Sequence, residues 1–227
     1  MSAKRRIALY GGTFDPVHQG HLEVARRVSQ LFEIDSVLFV PAQIAPHKIG
    51  RVVTAPLHRY AMLALATQDD LRLRVSTFEL DAPDRRFTVD TLGHFHRELM
   101  GCDLFFIMGA DSWMEITTWR EWQKILSMVN HIIVTRPGYD IGVDHVGPDE
   151  QSRIVDLRKQ QSDVDHLTQE TAIYITDAAM KDIAATDIRR AAHEGKFEQL
   201  AQYVPDAVAE YIVKYRLYQG SNETTYS

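Results

Sequence analysis

The sequence predicts an α/β fold, a Rossmann-like doubly wound parallel sheet with helices on both faces and a C-terminal helical segment. Three observations support this class. Short apolar runs of strand length alternate with amphipathic helical patterns. Most of the runs are apolar at every position, as in strands that are buried on both faces. Repeated strand–helix–strand units join parallel strands through right-handed crossovers, which place helices on both sides of the sheet.

The predicted elements follow from hydrophobic spacing. In the first helix, Leu22, Ala25 and Val28 recur at helical spacing, whereas Arg26 and Arg27 lie on the opposite side. Strands are predicted at residues 7–10, 36–40, 73–78, 104–108, 132–135 and 172–175. Helices are predicted at residues 20–32, 56–67, 88–100, 119–129, 187–193 and 205–218, with a polar helix near 150–160. Residues 137–149 are rich in Gly, Asp and Pro, which predicts a loop.

The length of 227 residues is compatible with one large domain. We expect a single domain over residues 1–218, of which about 184–218 is the C-terminal helical part. Residues 219–227 are polar, and we expect a disordered tail there.

Composition excludes several classes of protein. Lys plus Arg is 25 and Asp plus Glu is 31, so the net charge of −6 argues against nucleic-acid binding and still permits a small basic pocket. No apolar run approaches the roughly 18 residues that a membrane helix needs. Cys102 is the single cysteine, and no secretion signal is recognisable, so we expect a cytoplasmic protein. The oligomeric state does not follow from the sequence.

The segment between the first strand and the first helix carries the strongest functional signal. Gly11 and Gly12 let the backbone approach a ligand closely, and Thr13 follows them. His18 and His21 are three residues apart at the helix start, where free amides and the helix dipole favour phosphate. The spacing fits neither the dinucleotide-binding fingerprint nor the P-loop. We therefore predict a nucleotide phosphate site of another kind at this strand end.

The run Gly-Gly-Thr-Phe-Asp-Pro-Val-His-Gln-Gly-His at 11–21 resembles the signature of nucleotidyltransferases, and more closely that of bacterial nicotinate-nucleotide adenylyltransferases. Further matches follow in the order of that family, at 46–48, 87–92, 107–112 and 183–189. The resemblance implies that AMP passes from ATP to nicotinic acid mononucleotide, giving nicotinic acid adenine dinucleotide and pyrophosphate in NAD biosynthesis. It also implies Mg²⁺ that is carried with ATP, and we predict no metal ligand from the protein.

The resemblance assigns three groups of site residues. The residues that would stabilise charge in catalysis are His18, His21, Lys48 and Arg189. The residues that would bind ATP are Gly11, Gly12, Thr13, Phe14, Gly109, Asp111 and Thr186. The residues that would bind the mononucleotide are Thr88, Trp119 and Arg136.

Each mononucleotide residue also has a purely structural interpretation. Thr88 begins a predicted helix whose amides suit the nicotinate carboxylate, although an ordinary N-cap fits equally well. Trp119 stacks on the pyridine ring or packs in the core. Arg136 reaches the mononucleotide phosphate or lies on the surface. Asp111 likewise accepts from a ribose hydroxyl, faces the incoming mononucleotide, or caps a helix.

Two departures from the family pattern keep other functions open. Ala45 replaces a proline in the loop that carries Lys48, and Ala184 and Ala185 replace two serines near the triphosphate. Each lost hydroxyl hydrogen bond is worth about 0.5–1.5 kcal/mol. The alternatives are a catalytically weakened nucleotide-binding regulatory module of the same fold, and an adenylyltransferase with another acceptor such as nicotinamide mononucleotide.

Overall fold

The computed structural model describes residues 4–43, 53–81, 87–136, 138–158, 171–178 and 183–219. Within these residues, seven parallel strands form one sheet in the order β3-β2-β1-β4-β5-β7-β6. The strands are β1 Arg6–Gly12, β2 Ser36–Pro41, β3 Leu73–Val75, β4 Asp103–Gly109, β5 Asn130–Val134, β6 Ile154–Asp156 and β7 Ile173–Thr176. The helices are α1 Gln19–Leu31, α2 Pro56–Thr67, α3 Thr88–Glu98, α4 Ala110–Met114, α5 Trp122–Met128, α6 Pro148–Gln151, α7 Ala185–His193, α8 Phe197–Tyr203 and α9 Asp206–Lys214.

The sheet reverses its strand order beside β1, which confirms the doubly wound α/β prediction. Ile7 of β1 pairs with Ser36 of β2 on one side and with Leu104 of β4 on the other. Strands β2 and β3, which follow β1 in sequence, are added on one side of it, and the strands that follow β4 are added on the other side. The connections therefore leave the carboxyl ends of β1 and β4 toward opposite faces of the sheet. A crevice opens at such a switch point, and ligands bind there in open α/β sheets.

The core has two layers, one on each face of the sheet. Ala8 and Phe105 pack with the helices of one face, in a layer that also holds Val28 of α1. Their neighbours Leu9 and Phe106 pack on the other face with α3, α4 and α5. Successive strand residues point to opposite faces, and both faces are apolar here. This arrangement explains why the strand sequences are apolar at every position.

The predicted polar helix at 150–160 is wrong. Helix α6 ends at Gln151, and the chain then enters the edge strand β6, where Ile154 pairs with Ile173 of β7. The β-branched pair Ile154 and Val155 favours a strand, and pairing with β7 adds a ladder that the local polar pattern does not reveal.

Other boundaries differ by a few residues. The predicted strand at 73–78 ends at Val75, because Ser76 accepts a hydrogen bond from the Phe78 amide and turns the chain. The predicted helix at 205–218 ends at Lys214, and Arg216 adopts a left-handed φ of 52°. The short helices α4 and α8 were not predicted.

No helix among the described residues is long and apolar enough to cross a membrane. Of the predicted polar tail, only Gln219 belongs to the described residues.

Candidate active site

The loop from Thr13 to His18 lies at the carboxyl end of β1, and Gly12 is the residue that permits its shape. A Cβ atom on Gly12 would lie 2.9 Å from the ring of Phe14. That ring is buried, and it packs edge-on against Tyr10 and Phe39 with centroids 5.5 and 5.4 Å away. The predicted ATP-binding residue Phe14 therefore supports the turn from the core side.

The two predicted histidines meet at the start of α1. His18 is the N-cap residue and His21 lies in the first turn, with ring centroids 3.6 Å apart. The His18 backbone N–H donates to Nδ1 of His21 at 3.2 Å. Since Nδ1 accepts, the geometry assigns the proton of a neutral His21 ring to Nε2, which is then a donor.

The ring of His18 is buried, and this burial lowers its pKa to about 4. The ring is therefore neutral near pH 7. Among the described residues, its Nδ1 has no hydrogen-bond partner. The site can thus offer a phosphate neutral N–H donors from this pair, in addition to the backbone amides of the turn.

Helix α7 brings the predicted residues Thr186 and Arg189 to the same loop. One guanidinium nitrogen of Arg189 donates to the backbone carbonyl of Asp15 at 2.7 Å. The other lies 3.3 Å from the hydroxyl of Thr186. Residue 189 is 174 positions from residue 15, so the fold creates this contact. The fourth predicted catalytic residue, Lys48, lies outside the described residues.

Arg59 organises the loops beside the phosphate site, although it was not predicted as a site residue. Its side chain is fully buried, and its guanidinium donates to four backbone carbonyls. These acceptors are Thr13 at 2.7 Å, Ala42 at 2.6 Å, Gln43 at 3.2 Å and Thr54 at 2.9 Å. Such bonds offset the desolvation of a buried charge. The sequence signal was an arginine beside Met62 and Leu63 on the apolar face of a predicted helix.

A cavity of about 320 Å³ opens at the carboxyl ends of β1 and β4. It contains the predicted residues Gly11, Gly12, Thr13, Gly109, Thr88 and Trp119. The remaining wall is formed by Leu9, Val40, Ala42, Glu79, Phe87, Thr91, Phe106, Met108, Ser112, Thr118, Arg120 and Ile125. The structure thus joins the Gly-Gly turn and two of the three predicted mononucleotide residues in one pocket.

The charged groups of this cavity were missed by the sequence analysis. Arg120 follows Trp119 directly, and its guanidinium lies 4.9 Å from the centroid of the Phe87 ring. Glu79 provides the opposite charge, and its carboxylate accepts a hydrogen bond from the Thr91 hydroxyl at 2.7 Å. The position of Arg120 next to a predicted stacking tryptophan was the available signal. Glu79 had none, because its place depends on how α3 packs.

Seven predicted residues of the described chain lie outside the cavity lining. Five of them belong to the phosphate end of the site described above: Phe14, His18, His21, Thr186 and Arg189. The other two are Asp111 and Arg136. Asp111 is exposed in the first turn of α4, two residues after Gly109. Arg136 is exposed two residues beyond the end of β5. Both residues follow the carboxyl ends of their strands, on the side of the sheet where the cavity opens.

Comparisons with known proteins agree with this geometry. The cytidylyltransferase-like family model matches residues 9–191. A Corynebacterium jeikeium protein named nicotinate-nucleotide adenylyltransferase is 36% identical over 214 residues, which cover 93% of this chain and 99% of that protein. A Thermoanaerobacter protein of the same name is also 36% identical, over 98% of this chain and 99% of its own length. The chain belongs to the nicotinate-nucleotide adenylyltransferase family.

Solved structures show the same fold. The Plasmodium falciparum nicotinic acid mononucleotide adenylyltransferase complexed with NaAD has a TM-score of 0.69 and 20% identity, and the match covers 94% of this chain and 97% of that one. The same protein complexed with APC gives a TM-score of 0.66. A nicotinate-nucleotide adenylyltransferase is a nucleotidyltransferase. In open α/β sheets ligands bind at the switch point, so the crevice between β1 and β4 is the candidate substrate site of this chain.

Proposed function

We propose that the chain transfers AMP from ATP to nicotinic acid mononucleotide, giving nicotinic acid adenine dinucleotide and pyrophosphate in NAD biosynthesis. The observation that carries this proposal is the cavity, which joins the Gly-Gly turn to the start of α3, the Trp119 ring and the Arg120 guanidinium. The relatives named above share this activity in their names, and the Plasmodium falciparum protein is complexed with NaAD.

In the proposed reaction, a phosphate oxygen of the mononucleotide attacks the α-phosphorus of ATP. The new P–O bond forms as the bond from that phosphorus to the bridging oxygen breaks, and pyrophosphate leaves with the bonding pair. Such transfers need positioned reactants and stabilised charge, and no covalent enzyme intermediate. The proposed donors to the α-phosphate are the amides of Gly12 and Thr13 together with His18 and His21.

The β- and γ-phosphates are proposed to lie toward α7. Arg189 already holds the loop through Asp15, and this bond together with the contact to Thr186 uses two of its five N–H donors. Its fixed charge suits the leaving pyrophosphate, and Lys48 is proposed to share this work. Asp111 is proposed to accept from a ribose hydroxyl, and Arg136 to bind the mononucleotide phosphate.

Magnesium is proposed to arrive as the Mg-ATP complex. Among the described residues, no group of three or more His, Cys, Asp or Glu side chains is placed to hold a metal ion. Such an ion would be bound by phosphate oxygens and water, as Mg²⁺ commonly is in nucleotide enzymes. We propose no nucleic-acid partner, given the net charge of −6, and we place the reaction in the cytoplasm.

The acid form of the acceptor is favoured by two groups of the cavity. Thr88 is the first residue of an eleven-residue helix, whose free N-terminal amides attract a carboxylate. Arg120 adds a positive charge at the same wall. Glu79 opposes a second negative charge, so we propose that the nicotinate carboxylate faces Thr88 and Arg120 and points away from Glu79.

Pyrophosphate release from Mg-ATP, with nicotinic acid mononucleotide and nicotinamide mononucleotide in parallel, tests the proposal. We expect the acid form to react far faster. Because Arg120 is exposed, Arg120→Gln should lower the acid-to-amide ratio of kcat/KM by about fivefold, or about 1 kcal/mol. Arg97→Gln, near the far end of α3, is the matched control and should leave the ratio unchanged. Equal rates with both acceptors would refute the acid assignment.

The start of α7 favours a second candidate, a nucleotide-binding module with weakened catalysis. Its N-cap is Ala184, which makes no side-chain hydrogen bond to the helix, and Ala185 follows. ATP binding without pyrophosphate release from any of the acceptors would support this candidate.

A further inference from the structure

Asp15 joins parts of the chain that are far apart in sequence, directly beside the phosphate site. It is buried in the loop between Gly12 and His18. Its Oδ1 accepts a hydrogen bond from the Tyr218 hydroxyl at 2.7 Å, across 203 residues. Its Oδ2 accepts from the Thr54 backbone N–H at 3.3 Å. Since its backbone carbonyl also accepts from Arg189, a shift of Asp15 would move both the loop and this guanidinium.

The C-terminal segment is bent so that Tyr218 reaches this carboxylate. After α9, Arg216 and Tyr218 both have positive φ values, 52° and 68°. Residues other than glycine rarely adopt this conformation, and it persists only when surrounding contacts hold it. Leu217 packs between them against the core layer of α1 and donates its N–H to the Ile212 carbonyl at 3.0 Å. The segment therefore brings the Tyr218 hydroxyl into hydrogen-bond contact with the loop.

The phenol of Tyr218 is suited to act as a permanent donor. Burial raises its pKa well above the ordinary value, and the negative charge of Asp15 acts in the same direction. The hydroxyl therefore keeps its proton at neutral pH. Without this donor, one carboxylate oxygen would be buried and unsatisfied, and relief would require the Asp15 side chain to turn or the loop to open.

We infer that Tyr218 is a positioning residue for adenylyl transfer, which holds the phosphate-binding loop and Arg189 in their working geometry through Asp15. Tyr218 lines no part of the cavity described above, and it acts through Asp15. Small displacements of groups that stabilise developing charge reduce turnover strongly. The C-terminal segment is therefore a functional part of the site, although it lies about 200 positions from the loop in sequence.

Tyr218→Phe removes only the hydroxyl, and Tyr211→Phe is the matched control. Tyr211 lies in α9, and its hydroxyl makes a hydrogen bond of 2.8 Å with Nδ1 of His58, a residue of α2. Both variants remove the hydroxyl from a partly buried hydrogen bond, so we expect each to lower Tm modestly. We expect Tyr218→Phe alone to reduce kcat by about tenfold with saturating substrates, assayed well below Tm.

A double-mutant cycle with Asp15→Asn tests whether the hydroxyl acts through the carboxylate. The loss of kcat in the double variant should be close to that of the more affected single variant, since both changes break the same link. Multiplied losses would overturn the proposed route through Asp15. A kcat for Tyr218→Phe within threefold of that for Tyr211→Phe would overturn the positioning role itself.

This inference rests on the proposed function for its kinetic measurements, and a binding measurement separates the two. A folded wild-type chain that releases no pyrophosphate would refute the proposed function. The Kd of α,β-methylene-ATP then decides the role of Tyr218. A Kd raised more than threefold by Tyr218→Phe and unchanged by Tyr211→Phe supports positioning, and equal Kd values overturn it.

Discussion

We predict that His131 contributes to the pH dependence of the free energy of unfolding, and that His131→Leu removes this contribution. The residue is fully buried in β5, with its ring edge-on to Phe106 at 5.9 Å between centroids. The Val129 backbone makes a hydrogen bond with the ring that favours its charged form, and this contribution is smaller than that of burial. Burial, with a smaller contribution from the positive charge of Arg153, lowers its pKa from 6.5 to about 3.

The sign follows from the lowered pKa in the folded state. Above about pH 6.5 the ring is neutral in both states and contributes nothing. As the pH falls from 6.5 toward 3, the unfolded chain binds a proton that the folded chain does not, so the folded state loses stability. With about 1.36 kcal/mol for each pKa unit, the loss between pH 7.5 and 5.0 is about 2 kcal/mol.

Urea unfolding of the wild type and of His131→Leu at pH 7.5 and 5.0 measures this effect. The substitution changes the packing equally at both pH values. The pH-dependent change in the free energy of unfolding of the wild type, minus that of the variant, therefore isolates the titration of His131. We expect the wild type to lose about 2 kcal/mol more than the variant. Ile133→Val in the same strand is the control: it costs about 0.5–1.5 kcal/mol at either pH. An equal pH-dependent loss in His131→Leu and the wild type would refute a buried neutral ring.

Three further substitutions test the phosphate end of the site. Gly12→Ala brings a Cβ within 2.9 Å of the buried Phe14 ring, so we expect the free energy of unfolding to fall by about 1–3 kcal/mol and the KM for ATP to rise. Gly93→Ala is the control, because its Cβ meets only the flexible end of the Arg97 side chain, at 3.6 Å. Its free energy of unfolding and its KM for ATP should stay close to those of the wild type. Arg59→Lys leaves three N–H donors for four backbone carbonyls. Urea unfolding should therefore show a free energy of unfolding that is lower by about 1–3 kcal/mol or more. His18→Ala should lower kcat by about 10²–10³ with little change in Tm, and unchanged turnover would exclude the imidazole from the mechanism.

The strands of the sheet could be predicted because strands that are buried on both faces have continuous apolar sequences. Five of the six predicted strands have boundaries within about two residues of the structure, and β1 and β4 were found at the centre of the sheet. The edge strand β6 was missed because its three residues are partly buried and are fixed by pairing with β7. The local polar composition favoured a helix, but pairing with β7 makes this segment a strand.

The arrangement of the candidate site was predictable where its residues are close in sequence. Gly12, His18 and His21 form one compact pattern, and the structure brings them together at the end of β1. Tyr218 and Arg59 could not be assigned from sequence in the same way. Their partners lie 203 and up to 46 residues away, and only the packing of α2 and α9 creates these contacts.

The two substrate ends of the site rest on different layers of the core, and this division has a functional consequence. Phe14 and Ile188 of α7 belong to the layer of α1, which supports the loop and Arg189. Trp119 and the helix that begins at Thr88 pack with the opposite layer. The layers meet across β1 and β4, so a variant in one layer should perturb one substrate first. Gly12→Ala should therefore raise the KM for ATP and Arg120→Gln the KM for the mononucleotide. Each variant should affect the other constant less, because Phe14 beside Gly12 packs in one layer and Trp119 beside Arg120 packs in the other.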